Sequence, residues 1–187
     1  AITPFTDLST ASANDPIATW NWNFGDGSAP TTVQNPSHYY TAPGTYTASL
    51  IVITQGGCKD TIHQVVTLYQ PPVANFSGSG SGCAPHCVSN YTDLSTSADG
   101  NIAAWSWSFP GGSPASWSGS APPSICYNNP GSYGASLMIT TQFGCSDTVA
   151  ITPLVNVHPW PTANFCVAPA YAPVNDPKFN FCDLWSS

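Results

Sequence analysis

The chain has no arginine and no glutamate, and only two lysines, Lys59 and Lys178, against nine acidic residues, all aspartate. Its net charge is -7 over 187 residues, and only 6% of those residues are charged. A surface so poor in cations cannot displace the counterions of a nucleic acid. It offers nothing to an anionic lipid surface either. Nucleic acid is therefore excluded as a partner. No apolar run reaches the roughly 18 residues of a spanning helix, so no membrane insertion is expected. A basic n-region leading into an apolar h-region is missing too, and any signal peptide is expected to have gone already. Helical periodicity of useful length is also missing.

Low charge here does not mean disorder. Hydrophobic residues are 42% and aromatics 12% of the chain, far from a disordered composition. The 19 prolines and 15 glycines fall between short apolar runs, the pattern of many short strands and tight turns. Seven cysteines in an acidic, Ser/Thr/Asn-rich chain point to an oxidising, extracellular compartment. Zinc fits poorly, since the only close cysteine pair is Cys83 and Cys87 and structural zinc needs a second such pair.

The chain repeats itself. "YTDLSTSADGNIAAWSWSF" (Tyr91 to Phe109) echoes "FTDLSTASANDPIATWNWNF" (Phe5 to Phe24), and "NPGSYGASLMITTQFGCSDTV" (Asn129 to Val149) echoes "APGTYTASLIVITQGGCKDTI" (Ala42 to Ile62). A proline-marked joint follows each copy, "YQPPVANF" (Tyr69 to Phe76) and "HPWPTANF" (His158 to Phe165). The second joint opens a third copy that runs to "FCDLWSS". The expected division is 1–70 for a first unit without its first strand, 71–158 for a second, and 159–187 for the first two strands of a third.

Alternation places the strands. Trp20, Trp22 and Phe24 share one face, with Asn21 and Asn23 on the other, and Trp105, Trp107 and Phe109 oppose Ser106 and Ser108 in the same way. Tyr46, Ala48, Leu50 and Val52 alternate likewise, as do Tyr133, Ala135, Leu137 and Ile139. Each unit then holds roughly seven short strands, a sandwich pattern. The paired tryptophans Trp20, Trp22, Trp105 and Trp107 are expected to face inward as core aromatics, because their neighbours are small and polar. An exposed aromatic platform for sugars is the competing reading.

These residues resemble the PKD repeat, an immunoglobulin-like module. The family pattern W-x-F-G-D-G, N-P-x-H-x-Y and P-G-x-Y-x-V-x-L appears as Trp22 to Gly27, Asn35 to Tyr40 and Pro43 to Leu50. The second copy departs from it, with "FPGGS" for "FGDGS" and "PPSICYNNPGSY" for "NPSHYYTAPGTY". The resemblance implies an all-β chain of tandem immunoglobulin-like (PKD) β-sandwiches. The tandem style looks like PKD arrays on secreted and surface proteins of Bacteroidota, such as adhesins and gliding-associated proteins. It implies neighbouring PKD units or identical subunits as partners, in a surface array or filament, with surface glycans as further candidates. Within such a head-to-tail array, the unit without a first strand and the strand pair without a body could complete each other between chains; the competing reading is that Ala1 and Ser187 are only the limits of a portion of a longer chain.

The same fold places the cysteines. Cys87 and Cys126 fall on neighbouring strands of the second unit, and Cys166 and Cys182 near the top of a hairpin in the third, so both pairs are candidate disulfides. Cys58 and Cys145 sit in turns at the top of their units and Cys83 in a turn at the bottom, which makes these three candidates for inter-unit or inter-subunit bonds. A Cys83–Cys145 bridge is the alternative if the strand positions are shifted.

Chemistry is scarce. Among His38, His63, His86 and His158, His38 lies in the "NPSHYY" motif and reads as a packing and turn residue. The chain has no G-x-S-x-G and no H-E-x-x-H. Most aspartates recur at strand ends and turns, Asp7 with Asp93 and Asp60 with Asp147. Asp26 is a candidate calcium ligand, but Gly111 replaces it in the second copy, and a turn role fits better. No enzyme, no metal and no cofactor is expected. Asn75 and Asn90 open N-x-S/T sequons, and Thr61 and Thr148 follow aspartates in a pattern the resemblance associates with O-glycosylation. Trp117, Trp160 and Trp185 lie outside the core pattern and are candidate interface residues.

Overall fold

A computed structural model describes residues 2–168, 175 and 180–183. Among them every regular element is a strand. The first stretch holds β1 (Ile2–Pro4), β2 (Ile17–Asn23), β3 (Ser37–Tyr39), β4 (Gly44–Thr54) and β5 (Lys59–Leu68). The second holds β6 (Phe76–Ser77), β7 (Gly80–Cys83), β8 (His86–Val88), β9 (Thr92–Asp93), β10 (Ile102–Ser108), β11 (Ser116–Ser118), β12 (Ile125–Tyr127), β13 (Gly131–Thr141) and β14 (Ser146–His158). A hairpin of β15 (Phe165–Ala168) and β16 (Asn180–Asp183) follows. Every ladder joins strands within one of these three stretches.

In the first stretch a sheet ordered β2-β4-β5 is accompanied by the pair β1-β3. In the second, a five-stranded sheet ordered β11-β10-β13-β14-β7 is accompanied by the pairs β6-β9 and β8-β12. The chain is thus an all-β tandem of immunoglobulin-like sandwiches. The matching hairpins, β4-β5 and β13-β14, are antiparallel and put Leu50 opposite Ile62 and Leu137 opposite Val149. The turn after Phe24 needs glycine. Gly25 has φ +78°, and a Cβ there would lie 2.4 Å from the carbonyl oxygen of Thr47.

Two expectations are corrected by the fold. Only the second and third aromatics of each triplet are core: Trp22, Phe24, Trp107 and Phe109 are buried, whereas Trp20 and Trp105 are half-buried. Each lies at a sandwich rim, where its indole N–H needs a polar partner. Cys83 does not lie in a simple turn, because Gly80–Cys83 is the strand β7, parallel to β14, with Cys83 opposite His158. The chain leaves β6 in one layer and joins the opposite layer as β7, which also raises the strand count above the roughly seven expected.

The two cores differ in content. The second joins Ala74, Phe76, Trp107, Phe109, Ile125, Tyr127, Leu137 and Val155 with further apolar residues. Rings that bury roughly 150–250 Å² each dominate it. The first has only Trp22, Phe24, Tyr40 and Leu50 as fully buried members. Among the described residues nothing in it stands where Ala74 and Phe76 stand in the second.

Candidate functional site

The rim tryptophans are anchored by the repeated aspartates. Trp20 donates its indole N–H to Asp7 Oδ2 at 2.6 Å, and Trp105 donates to Asp93 Oδ2 at 2.6 Å. Burial pushes the Asp7 carboxyl up, but hydrogen bonds from Ser9, Gln34 and Trp20 outweigh it and hold the group below the ordinary carboxylate range. The inner tryptophans donate to backbone instead, Trp22 to Gln34 O and Trp107 to Gly119 O.

The first unit also carries a polar cluster around Asp26. His38 lies flat on Phe24 with ring centroids 3.9 Å apart, and its Nε2 is 2.7 Å from Asp26 Oδ2. Ser28 donates its hydroxyl to Asp26 Oδ1 at 2.6 Å. The Ser28 hydroxyl, then His38, hold the Asp26 carboxyl well below its usual range. Serine, histidine and aspartate therefore meet, but with the aspartate in the middle. A catalytic triad needs the imidazole between the hydroxyl and the carboxylate, so that the ring can take the proton. In the second unit Gly111 replaces Asp26 and Ile125, fully buried, replaces His38. Both members of the polar pair are lost together, and an apolar side chain takes the place of the imidazole, the behaviour of a packing unit.

An inter-sheet groove of about 630 Å³ opens in the first unit, lined among others by Phe5, Leu8, Trp22, Leu50, Asp60 and Ile62. The equivalent space of the second unit is filled by Val73–Phe76. There Val73 pairs with Thr96, the Ala74 N–H donates to Asp147 Oδ2 at 2.8 Å, and Phe76 packs edge-on against Trp107 at 5.2 Å. The Ala74 N–H, followed by that of Thr148, holds the Asp147 carboxyl below its usual range.

Cys87 and Cys126 are joined by a disulfide across β8 and β12. Cys58 and Cys83 are free and exposed, and Cys145 is free and half-buried. Cys145 precedes β14 while Cys83 pairs with its last residue. Thirteen extended residues at about 3.3 Å each separate the two, far beyond disulfide reach. Backbone pairing sets Cys166 opposite Cys182; their side chains lie outside the described part, as does Trp185.

The joints are contact points. Tyr69 stacks on Phe143 with centroids 3.8 Å apart and planes 2° from parallel, and the Gln70 N–H donates to Asp99. Trp160 is 69% exposed, yet its indole N–H donates to Ala84 O. Trp117 pairs with Trp107 on the outer strand β11 and is 41% exposed. Asn75, Asn90, Thr61 and Thr148 are all exposed. Among the described residues no group of three His, Cys, Asp or Glu side chains is placed to hold a metal, and no helix is long and apolar enough to cross a membrane.

The PKD domain profile matches residues 2–68 and again 69–155. The chain belongs to the PKD domain family. One curated relative is Collagenase ColA of Bacillus cereus, 40% identical over 68 residues, covering 36% of this chain and 7% of the collagenase. The chain thus spans a small fraction of that protein's length. Among solved structures, the PKD1 domain of Vibrio anguillarum Epp is 32% identical, covering 49% of this chain and all of that one, with a TM-score of 0.41. The fibronectin(III)-like modules of Clostridium thermocellum CbhA are 14% identical over 80% of this chain and 83% of theirs, with a TM-score of 0.37. As a PKD array the chain is a structural or accessory module of the extracellular kind.

Reading the sequence alone missed three features. The Asp–Trp anchors were legible only as recurring aspartates. The bond from Ala74 to Asp147 spans 73 positions and left no local signal. The stack of Tyr69 on Phe143 joins two residues that are not matched within the repeat.

Proposed function

We propose that the chain is a rod-like, non-catalytic length of a secreted surface adhesin or filament, working with neighbouring PKD units or identical subunits. The observation that carries this reading is the joint. Tyr69 on Phe143 and Trp160 on Ala84 replace a free linker with side-chain contacts, which restricts the angles available between units. Exposed Asn75, Asn90, Thr61 and Thr148 suit glycan attachment outside the cell. Exposed Cys58 and Cys83, together with Cys145, suit covalent bonds between units or subunits. Antibody labelling of intact cells tests the reading: decoration of the surface or of filaments supports it, and label found only inside lysed cells overturns it.

A second reading is an accessory polysaccharide- or protein-binding domain of a secreted hydrolase. The likeness to part of a collagenase favours it, as does exposed Trp117, which could lie against a ligand. Pull-down on collagen, chitin and cellulose, with loss of binding in Trp117→Ala, separates the two.

A further inference from the structure

We propose that Gly100 and Phe143 make one end of the second unit a receiving plate for the aromatic residue of the joint before it, and that the matched pair Asp15 and Gly56 closes the same end of the first unit with a polar cap. The two ends correspond bond for bond. Gln55 N–H donates to Pro16 O and Gln142 N–H donates to Asn101 O, each at 3.0 Å. Gly57 N–H donates to Thr54 O and Gly144 N–H to Thr141 O in the same way. Counted from these bonds, Asp15 matches Gly100, Gly56 matches Phe143, and Asn14 matches Asp99.

The two arrangements exclude each other. In the first unit the Asp15 carboxylate accepts the Thr54 hydroxyl at 2.7 Å and the Gly56 N–H at 2.6 Å. A Cβ at Gly56 would lie 3.0 Å from Asp15 Oδ2, so a side chain there would press on the carboxylate. In the second unit a Cβ at Gly100 would lie 2.7 Å from the Phe143 ring, so a side chain there would push the ring away. Gly100 also has φ +77°, a conformation that favours glycine. The exchange leaves Thr141 without the partner that Thr54 has: it is 3% exposed, and its hydroxyl is unpaired among the described residues. A buried polar group left unpaired marks a place where a requirement other than stability shaped the sequence. The joint supplies that requirement.

Tyr69 stacks on the Phe143 ring, and the next residue, Gln70, donates its N–H to Asp99. A flat ring with a carboxylate beside it fits a planar aromatic side chain followed by a free backbone N–H. The second joint offers a different pair. His158 stands where Tyr69 stands, and its Nε2 meets Ser81 Oγ at 3.3 Å. Pro159, which has no N–H to give, stands where Gln70 stands. Plate and joint residues are therefore matched to each other within this chain and do not recur with the repeat. Such coupling serves an accessory array as it serves a surface rod.

Residual dipolar couplings of the purified chain test the proposal. In the wild type the first two units are expected to share one alignment tensor. Exchanging residues 97–101 for the first unit's 11–16, together with Phe143→Gly, transplants the polar cap, and two independent tensors are expected. Phe143→Tyr keeps a flat ring and is expected to keep one tensor. A wild type with two tensors, or an exchanged chain with one, overturns the proposal. Should the exchanged chain fail to fold, Phe143→Ala at this exposed position decides the same question: two tensors support the plate and one overturns it. The unpaired hydroxyl gives a second readout. Thr141→Val is expected to raise the urea midpoint of the second unit in the wild type and to lower it in the exchanged chain, where an aspartate has returned. The same sign in both chains overturns the matched exchange on which the proposal stands.

Discussion

Trp105 and Asp93 meet at 2.6 Å through an indole N–H and a carboxylate oxygen, and Trp20 and Asp7 meet at the same distance in the preceding repeat. The contact closes the rim of each sandwich, tying the middle of the aromatic strand to a segment of the opposite layer. A hydrogen bond to a charged group contributes roughly 1.5–3 kcal/mol. Asp93→Ala is expected to destabilise the second sandwich by about 2 kcal/mol, read as a lower denaturant midpoint. Asp93→Asn keeps an acceptor and is expected to lose less.

The bond between Cys87 and Cys126 closes a loop with a sequence separation of 39. Loop-closure entropy for that length corresponds to about 4 kcal/mol. Replacing both cysteines by serine is expected to lower the melting temperature of the second sandwich and leave the first unchanged. Differential scanning calorimetry resolving the two transitions checks this.

Thr54 and Thr141 occupy matched positions with opposite fates. The Thr54 hydroxyl donates to Asp15 at 2.7 Å and accepts the Cys58 N–H at 3.1 Å. Thr141 is buried, and its hydroxyl has no partner among the described residues, because Gly100 stands where Asp15 would be. An unpaired buried hydroxyl is costly, by about 1–3 kcal/mol. Thr141→Val is expected to stabilise the second unit, and Thr54→Val to destabilise the first. Chemical denaturation of both variants decides it, and the same sign for both would refute the account.

The stack of Tyr69 on Phe143 belongs to the joint. Such pairs are worth roughly 0.5–1.5 kcal/mol beyond their buried area. Tyr69→Ala is expected to widen the range of angles between the first two units and to lower their melting transitions only by what this contact contributes. Small-angle scattering and NMR relaxation of the two units report it.

Stability is expected to hold between the ordinary aspartate and tyrosine values, 3.8 and 10.0. Asp7, Asp15, Asp26 and Asp147 all have carboxyls held low by hydrogen bonds. Their contribution is complete above the unfolded value and fades as pH falls through the lower folded ones. Burial, and then its bond to Tyr127, push the Tyr91 hydroxyl up; burial does the same to Tyr127 and Tyr40. Their contribution is complete below pH 10.0 and is lost as pH climbs through the folded values. Urea midpoints across pH check both limbs, and Tyr91→Phe is expected to soften the alkaline one.

Much of the fold was legible because alternation is local. Trp22 and Phe24 show their inward face by their spacing to Asn21 and Asn23, and the repeat copies that face at Trp107 and Phe109. Trp20 and Trp105 carry the same spacing, yet they stop at the rim, since alternation gives the side of a strand and not how far the opposing layer extends over it. The strand β7 was hidden for a related reason. Gly80–Cys83 has almost no side chains to alternate, and only the edge of β14 makes it a strand.

By itself the order of residues determined the repeat, the strand class, the turns and the aromatic inner face, because each depends on neighbours a few positions apart. The tertiary structure decided which aspartate receives which indole, that Gly80–Cys83 adds to the edge of β14, and that the Ala74 N–H finds Asp147 from 73 positions away. Those outcomes depend on which strand comes to lie beside or across from another, and packing between distant segments sets that.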